Sequence, residues 1–434
     1  MDKTSEWLSD LKLRFSYGTA GNNNIPSGQI SRTYSTGTSA WINNVGSYWT
    51  PSKILINPDL KWETTYTRNL GLDFTLWNGK LSGTAEVYLN NTKDLLINFP
   101  ITGSGYDSQY RNMGETENKG VEMSLNWNIL NKTNYGLSFS GNIGVNRNKI
   151  KSLGIMDDFG QNSGWASSEI SNDYWIAVGG RVGQMYGYVT EGRYETSDFV
   201  GYENGSWVPK AGVTNASEVL KTDVMPGSLK LKDLNDDGII DENDKTIIGD
   251  ANPKFAGGFA LNGRIHNFDI SANFTYSYGN KVYNANKVEY TSTSKYTFRN
   301  MTSEMEAGKR WTNINANGEM TYDLDELAAL NANTTMWSPY MGQFIFHSWA
   351  VEDASFLRLN TLTLGYTFPK TWMNKVRIQN VRLYATGYNL FVWTKYTGFD
   401  PEVSTRRSTT LTPNVDYSAY PKSRQFVVGL NINF

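Results

Sequence analysis

A two-residue alternation of apolar and polar side chains, repeated along the chain, constrains the fold more than any other feature. Its clearest copy closes the sequence. In "SRQFVVGLNINF" the residues Phe426, Val428, Leu430, Ile432 and Phe434 are large and apolar, while Gly429, Asn431 and Asn433 between them are small or polar. A period of two places the two sets on opposite faces of a β-strand. The pattern recurs at Leu11, Leu13, Phe15 and Tyr17, and again at Leu70, Leu72, Phe74 and Leu76. Asn78-Gly79 then separates that run from Leu81, Ala85, Val87 and Leu89. Asn-Gly between alternating runs predicts a tight hairpin, because both turn residues require positive φ. Further alternating runs include Val121–Ile129, Tyr135–Val145, "KFAGGFALNGRI", "FDISANFTYSYG", "LNTLTLGYTF" and "VRLYATGYNLFVW", making ten strands with the closing one.

The connections between these strands alternate in length. Short ones are Asn78-Gly79, "LNKTN", His266-Asn267 and "PKTWMNK"; long ones run roughly over 20–60, 91–117, 148–253, 281–353 and 394–422. In antiparallel order all short turns fall at one edge of the sheet and all long loops at the other. A soluble sandwich has no reason to sort its loops this way, whereas an outer-membrane barrel carries short periplasmic turns and long extracellular loops. Ten or more strands enclose a space too wide for side chains to fill, so the polar faces line a wet or plugged lumen and the apolar faces meet lipid. The expected fold is therefore all-β, a transmembrane antiparallel β-barrel with long extracellular loops. A large soluble all-β protein is the competing reading.

Composition narrows the function. Aromatics make up 14% of the 434 residues, with 26 Tyr and 14 Trp, a bias that suits strands and membrane-interface girdles. Tyr66, Trp77, Tyr276, Tyr278 and Trp393 stand near strand ends, where such a girdle belongs. A net charge of −2 offers no electrostatic case for nucleic acid. With no cysteine and only His266 and His347, thiolate chemistry is excluded and a Ser/His/Asp triad or a histidine metal site has little to draw on, so no enzyme is expected and no catalytic residue is assigned. No run approaches the roughly 18–20 apolar residues of a transmembrane helix. The opening "MDKTSEWLSDLKLRF" has no signal-peptide core and enters a strand by Leu11. It reads as an internal start rather than the beginning of a mature chain. In a barrel the last strand ends at the periplasmic boundary, and the run Phe426, Val428, Leu430, Ile432, Phe434 is expected to serve as the insertion signal presented to the assembly machinery.

Six blocks carry a family resemblance: "NPDLKWETTYTRNLGLDF", "GETENKGVEMSLNWNI", "GQMYGYVTEGRYE", "ANPKFAGGFALNGRIHNFDISANFTYSYGNKVYN", "FLRLNTLTLGYTFP" and "LYATGYNLFVWTKYTGFDPEV". Their order and content resemble the SusC/RagA-type TonB-dependent transporters of Bacteroidetes. The resemblance implies that residues 1–434 are the C-terminal part of a barrel of about 22 strands, without the signal peptide, plug domain and first barrel half. It implies import of oligosaccharides or peptides across the outer membrane, beneath a SusD-like lipoprotein, with energy delivered by TonB–ExbB–ExbD through the plug. A passive porin or a surface adhesin is the alternative. The cargo is not written in the sequence.

One motif carries sharper chemistry. In "DLNDDGIIDEND" Asp233, Asn235 and Asp237 fall at positions 1, 3 and 5 of a calcium loop, with Gly238 at the sharp turn. Ile239 supplies a carbonyl at position 7, Asp241 stands at 9, and Asp244 replaces the usual glutamate at 12. Hard oxygen ligands at this spacing point to a structural Ca²⁺; the alternative is an Asx-rich turn without metal. Two loop clusters, one with Trp41 and Trp49 and the other with Trp165 and Trp175, set aromatic rings beside Asn and Ser. They are candidates for stacking against sugar rings, or for ordinary loop packing. "YDLDELAALNA" predicts a short amphipathic helix inside a loop.

Overall fold

The computed structural model describes residues 7–25, 28–37, 48–101, 103, 105–166, 169–293, 298–405 and 410–434. Alternation over long stretches produces ten strands, each where the sequence places one. They are β1 (Leu8–Asn22), β2 (Glu63–Leu76), β3 (Leu81–Pro100), β4 (Ser108–Asn131), β5 (Tyr135–Leu153), β6 (Phe255–Ile265), β7 (Phe268–Tyr278), β8 (Phe356–Thr367), β9 (Asn380–Thr394) and β10 (Gln425–Asn433). They lie side by side in chain order in one sheet, every neighbouring pair antiparallel. An eleventh strand, Ile54–Leu55, adds a short parallel pairing to β4. Among the described residues β1 and β10 each have a neighbour on one side only, so the sheet is an open arc of barrel wall.

The turns follow from their residues. Trp77, Asn78 and Gly79 take φ of 53°, 56° and 83°, and the Lys80 amide donates to the Trp77 carbonyl, so the Asn-Gly pair sits inside a four-residue turn between the paired Leu76 and Leu81. At the two-residue turn 266–267 His266 adopts φ 53° and its ring meets the Tyr135 hydroxyl at 3.2 Å. One expected loop is not a loop. The 91–117 connection is mostly strand: β3 runs to Pro100 and β4 starts at Ser108, with register shifts between Thr92 and Leu96 where Asp94 takes φ 56°. The bulge lets the hairpin continue past the apolar band, and its polar alternation there gives no membrane signature. The short strands of 154–254 pair among themselves and add nothing to the main sheet.

Burial separates the strands from the loops. Leu13, Phe15, Phe426 and Val428 are each more than 70% exposed, all on one face of the sheet. Nearly all of the buried apolar clusters lie instead in the long loops. Water would not tolerate so extended an exposed apolar face; hydrocarbon requires it. Outward aromatics mark its edges, with Trp77 at the short-turn end and the stacked pair Phe391 and Trp393 toward the long loops.

Candidate functional site

Three long loops, 154–254, 279–355 and 395–424, fold together into one canopy over the arc. Its centre is a small sheet in which Lys281–Asn284 pairs antiparallel with Val351–Asp353 and parallel with Val415–Asp416. Trp165, Tyr174, Met185, Tyr283, Phe346 and Val415 bury one core drawn from all three loops. The Tyr174 hydroxyl donates to the Pro413 carbonyl, and the Asn414 amide donates to the carbonyls of Ala251 and Lys281. Burial raises the Tyr174 and Tyr283 phenols well above their ordinary range, so both stay neutral, Tyr174 donating to Pro413 and Tyr283 accepting from the Trp165 indole N–H. His347 is fully enclosed beside Trp337 and Trp349, and burial, then the Lys287 charge, holds it down to about 3. It is a neutral core ring.

The canopy is tied to the barrel wall by buried charge. Arg358 of β8, 4% exposed, reaches Asp400 and Glu402 of the last long loop, each at 2.7 Å. Lys422 extends the cluster to the same two carboxylates. Losing one partner of such a buried pair costs about 3–5 kcal/mol, because the other charge is left uncompensated.

Below the canopy the inward face of the arc is polar. Near the short turns it carries ion pairs: Arg14 grips Asp73 at 2.7 and 2.8 Å and Glu86 at 2.5 Å, and Arg382 pairs with Asp269. These long side chains lie across neighbouring strands at glycines. A Cβ on Gly71 would stand 2.8 Å from the Arg14 guanidinium, and one on Gly365 would stand 2.4 Å from that of Arg382. Elsewhere on this face Ser124, Asn126, Ser140, Asn142, Asn273 and Asn360 line one shallow depression. Such a surface presents amides and hydroxyls to passing polar solutes. In the sequence these ion pairs show only as isolated charges in the polar phase of a strand.

The candidate residues fare differently. Asp233 accepts from the amides of Asp236 and Gly238, Asn235 from Asp237, and Asp237 from Ile239. Asp241 accepts from the Asn243 amide. Asp244, wholly buried, accepts from the amides of Leu234 and Asp241, which closes the loop end to end. Gly238 takes φ 85° at the turn and Ile240 is buried. The backbone path is the one the motif calls for, but each side chain turns to a loop amide. Among the described residues no three His, Cys, Asp or Glu side chains group to hold a metal ion.

Of the four tryptophans, Trp41 lies outside the described residues, and Trp49 sits in the strand Tyr48–Pro51, where only the backbone is described. Trp165 is 8% exposed and donates its indole N–H to the Tyr283 hydroxyl, so it packs the core and offers no free face. Trp175 stacks on Tyr186 at 4.7 Å. Phe426, Val428, Leu430, Ile432 and Phe434, the residues expected to form an insertion signal, are all exposed, and the first four stand on the outward face in register with β9.

An arc of tilted antiparallel strands with an apolar outer face, a polar inner face and a thick loop canopy defines the wall of a large outer-membrane β-barrel. Residues 5–222, half the chain, match the family model described as TonB dependent receptor-like, beta-barrel, and the chain belongs to that family. TonB-dependent receptor P3 of Formosa agariphila is 31% identical over 440 residues, covering 100% of this chain and 40% of the relative. TonB-dependent receptor SusC of Bacteroides thetaiotaomicron is 28% identical over 442 residues, 98% of this chain and 38% of the relative. Among solved structures, that of the RagAB peptide transporter superposes with a TM-score of 0.72 at 25% identity, over 99% of this chain and 41% of that one. The RagAB peptide importer in its closed-closed state gives 0.73 at 25% identity, over 100% of this chain and 42% of that one. The chain spans about 40% of the length of the curated relatives it matches.

Proposed function

We propose that this chain forms the C-terminal barrel wall and canopy of a TonB-energised importer of oligosaccharides or peptides, working beneath a SusD-like lipoprotein. The observation that carries the reading is the open arc. Its outer face is built for lipid, its inner face for polar solute, and its edges β1 and β10 await further strands. An unpaired edge in hydrocarbon leaves backbone groups unsatisfied, so a longer barrel must supply the missing neighbours. A closed barrel of only these ten strands would be too narrow for a plug, and without a plug there is no gate for TonB to open. The names of the similar proteins, which include a TonB-dependent receptor SusC and the RagAB peptide transporter, support the same class of activity.

The test is complementation. In a strain lacking the full-length transporter, residues 1–434 alone should leave proton-motive-force-dependent uptake unrestored, and the full-length protein should restore it. Energised uptake by this segment alone would overturn the reading.

We also propose that the loop 233–244 holds a structural Ca²⁺ through Asp233, Asn235, Asp237, the Ile239 carbonyl, Asp241 and Asp244. The donor chemistry is all hard oxygen, and the buried Asp244 fixes both ends of the loop through the Leu234 and Asp241 amides. Binding would require the exposed carboxylates to turn from loop amides to a shared centre. Calorimetry on the full-length protein should show Ca²⁺ uptake that disappears in the Asp233→Ala, Asp237→Ala double variant. Unchanged heats in that variant would assign the metal elsewhere.

A further inference from the structure

The outward face of the wall changes chemistry where its apolar band ends, and two sectors of the arc end it differently. On β7, β8 and β9 the last outward positions are neutral: Tyr278, Leu357 and Trp393. On β3, β4 and β5 they are cationic. Lys93, Lys119 and Arg147 each stand twelve residues from the short-turn end of their strand, at Leu81, Asn131 and Tyr135 respectively. At about 3.3 Å per residue and a strand tilt of about 40°, that is roughly 30 Å, just beyond an apolar band about 25 Å tall.

Register fixes the facing of these side chains. Lys119 and Arg147 stand directly opposite each other, two residues beyond the outward pair Val121 and Val145 with no shift between. Lys149 follows on the same face, opposite Glu117. Lys93 keeps the outward phase of Val87 and Leu89.

The pairing is electrostatically unfavourable as it stands. Like charges directly opposite in an antiparallel pair have Cβ atoms about 4.5–5.5 Å apart and destabilise it. Arg147 turns aside, its guanidinium donating to the carbonyls of Asn146 at 2.8 Å and Lys254 at 3.0 Å. Lys119 and Lys149 are exposed, and among the described residues neither makes an ion pair. Glu117 lies 3.8 Å from Lys151, which takes up its charge. The other nearby carboxylates, Glu115 and Asp94, stand at the register shifts further from the band. The charged residues outside the described ones bring no compensating anion: Lys295, Arg406 and Arg407 are cations, and Asp2, Lys3 and Glu6 precede Trp7, which bonds to Trp77 at the short-turn end. The first charges met above the apolar band on this sector are therefore all positive.

We infer that this sector binds the phosphorylated headgroup of a glycolipid of the outer leaflet. One phosphate lies among Lys119, Arg147 and Lys149, and the acyl chains run down the apolar face below Val121 and Val145. The long-loop end of the wall faces out of the cell, so the leaflet that meets these cations is the outer one. Arginine and lysine are the ordinary phosphate-binding pair. The spacing favours a sugar headgroup over a glycerophosphate. Lys93 lies four residues along β3 from Leu89, which is opposite Lys119, hence roughly 14 Å from Lys119. A disaccharide with a phosphate at each end reaches across that span; a single glycerophosphate does not. The inference goes beyond the importer reading and needs only the outer-membrane setting.

The test uses purified full-length protein in detergent, with bound lipid counted by native mass spectrometry. It is titrated with lipid A, a disaccharide lipid with a phosphate at each end, with dephosphorylated lipid A, and with phosphatidylglycerol. Lipid A should bind ten times or more as tightly as either of the other two. The double variant Lys119→Gln, Lys149→Gln should reduce that preference to threefold or less. Lys80→Gln with Lys132→Gln, the same charge change at the short turns, should leave it within twofold. Equal binding of lipid A and its dephosphorylated form would overturn the inference, and so would phosphatidylglycerol binding as tightly as lipid A. A preference that survives Lys119→Gln, Lys149→Gln in protein migrating as a folded barrel would do the same, as would equal loss in both double variants. The lipid comparison on the parent protein decides the matter even if a variant misfolds. Lipid binding without energised uptake would leave this inference standing and the importer reading fallen.

Discussion

Replacing Leu430 by arginine tests the facing of the whole sheet at one position. Leu430 points outward, opposite Leu383 of β9, and stands four residues from Phe434. At about 3.3 Å per residue and a strand tilt of about 40°, it lies roughly 10 Å above the lower edge of an apolar band about 25 Å tall. An arginine at that depth costs about 2–4 kcal/mol. At about 1.4 kcal/mol per tenfold, the folding equilibrium constant falls roughly 30- to 700-fold. Ser140 of β5 provides the control. It lies on the inward face at similar depth, five residues from Tyr135, between Asn126 of β4 and Ala260 of β6, with no cation beside it. Ser140→Arg should therefore assemble nearly as well as the parent. The assay is the fraction of full-length protein that runs as a folded, heat-modifiable barrel after extraction from the outer membrane, backed by urea titration in liposomes. Equal folded fractions for Leu430→Arg and Ser140→Arg would refute the assignment of lipid and lumen faces.

Three further outcomes follow from particular contacts. Gly365→Val places a side chain against Asp269 and Arg382, whose atoms already stand 2.4–2.5 Å from a Cβ built there; overpacking of this kind costs about 1–3 kcal/mol, read as a lower urea midpoint. Asp173 accepts from both the Ser163 amide and hydroxyl, yet burial pushes its carboxyl up from 3.8 to about 6. The folded state thus holds the proton more tightly than the unfolded one, so canopy stability falls as pH rises from about 4 through about 6, by roughly 2 kcal/mol between pH 4.5 and 7.5. Asp173→Asn should flatten that dependence in urea-midpoint or limited-proteolysis measurements, and an unchanged slope would assign it to another group. Protease-cleavable tags near residues 105 and 215 should be cut on intact cells, while tags at Asn78 or Asn267 should be protected; cutting at Asn267 from outside would invert the topology.

The strand set was legible because each residue of a membrane strand reports its own facing. Leu11, Leu13 and Phe15 need no partner to be read, since lipid rewards every second position alike. Legibility stopped where that solvent stops. Beyond the apolar band β3 and β4 continue through Asn91, Lys93, Asn112 and Glu115, whose alternation carries no contrast, so a long hairpin read as a loop. The canopy was hidden for a different reason. Its core joins Trp165, Tyr283, Phe346 and Val415 across wide sequence separations, and nothing local in a loop declares which other loop it will bury against. Trp165 illustrates the consequence: its Asn- and Ser-rich neighbourhood suits a surface aromatic, but the partner that encloses it, Tyr283, is 118 residues away.

The same contrast bears on where this protein places its specificity. The barrel wall repeats one rule ten times, and the Ser- and Asn-lined depression on its inward face offers amides and hydroxyls that discriminate little among polar solutes. The canopy follows no repeat. Its charges are placed singly, as Arg358 is set against Asp400 and Glu402 to hold the loop down. A wall that must satisfy every backbone group in lipid has little freedom to carry a binding site. Loops held by a rigid scaffold have that freedom. Selection of cargo is therefore expected at the canopy, before a solute reaches the lumen. Substitutions at exposed canopy aromatics such as Phe399 should change which solutes bind, whereas exchanging Ser124 for Thr or Asn142 for Gln on the wall should leave ligand preference within about twofold; a larger shift from the wall variants, measured by ligand titration, would move selectivity from the canopy into the lumen.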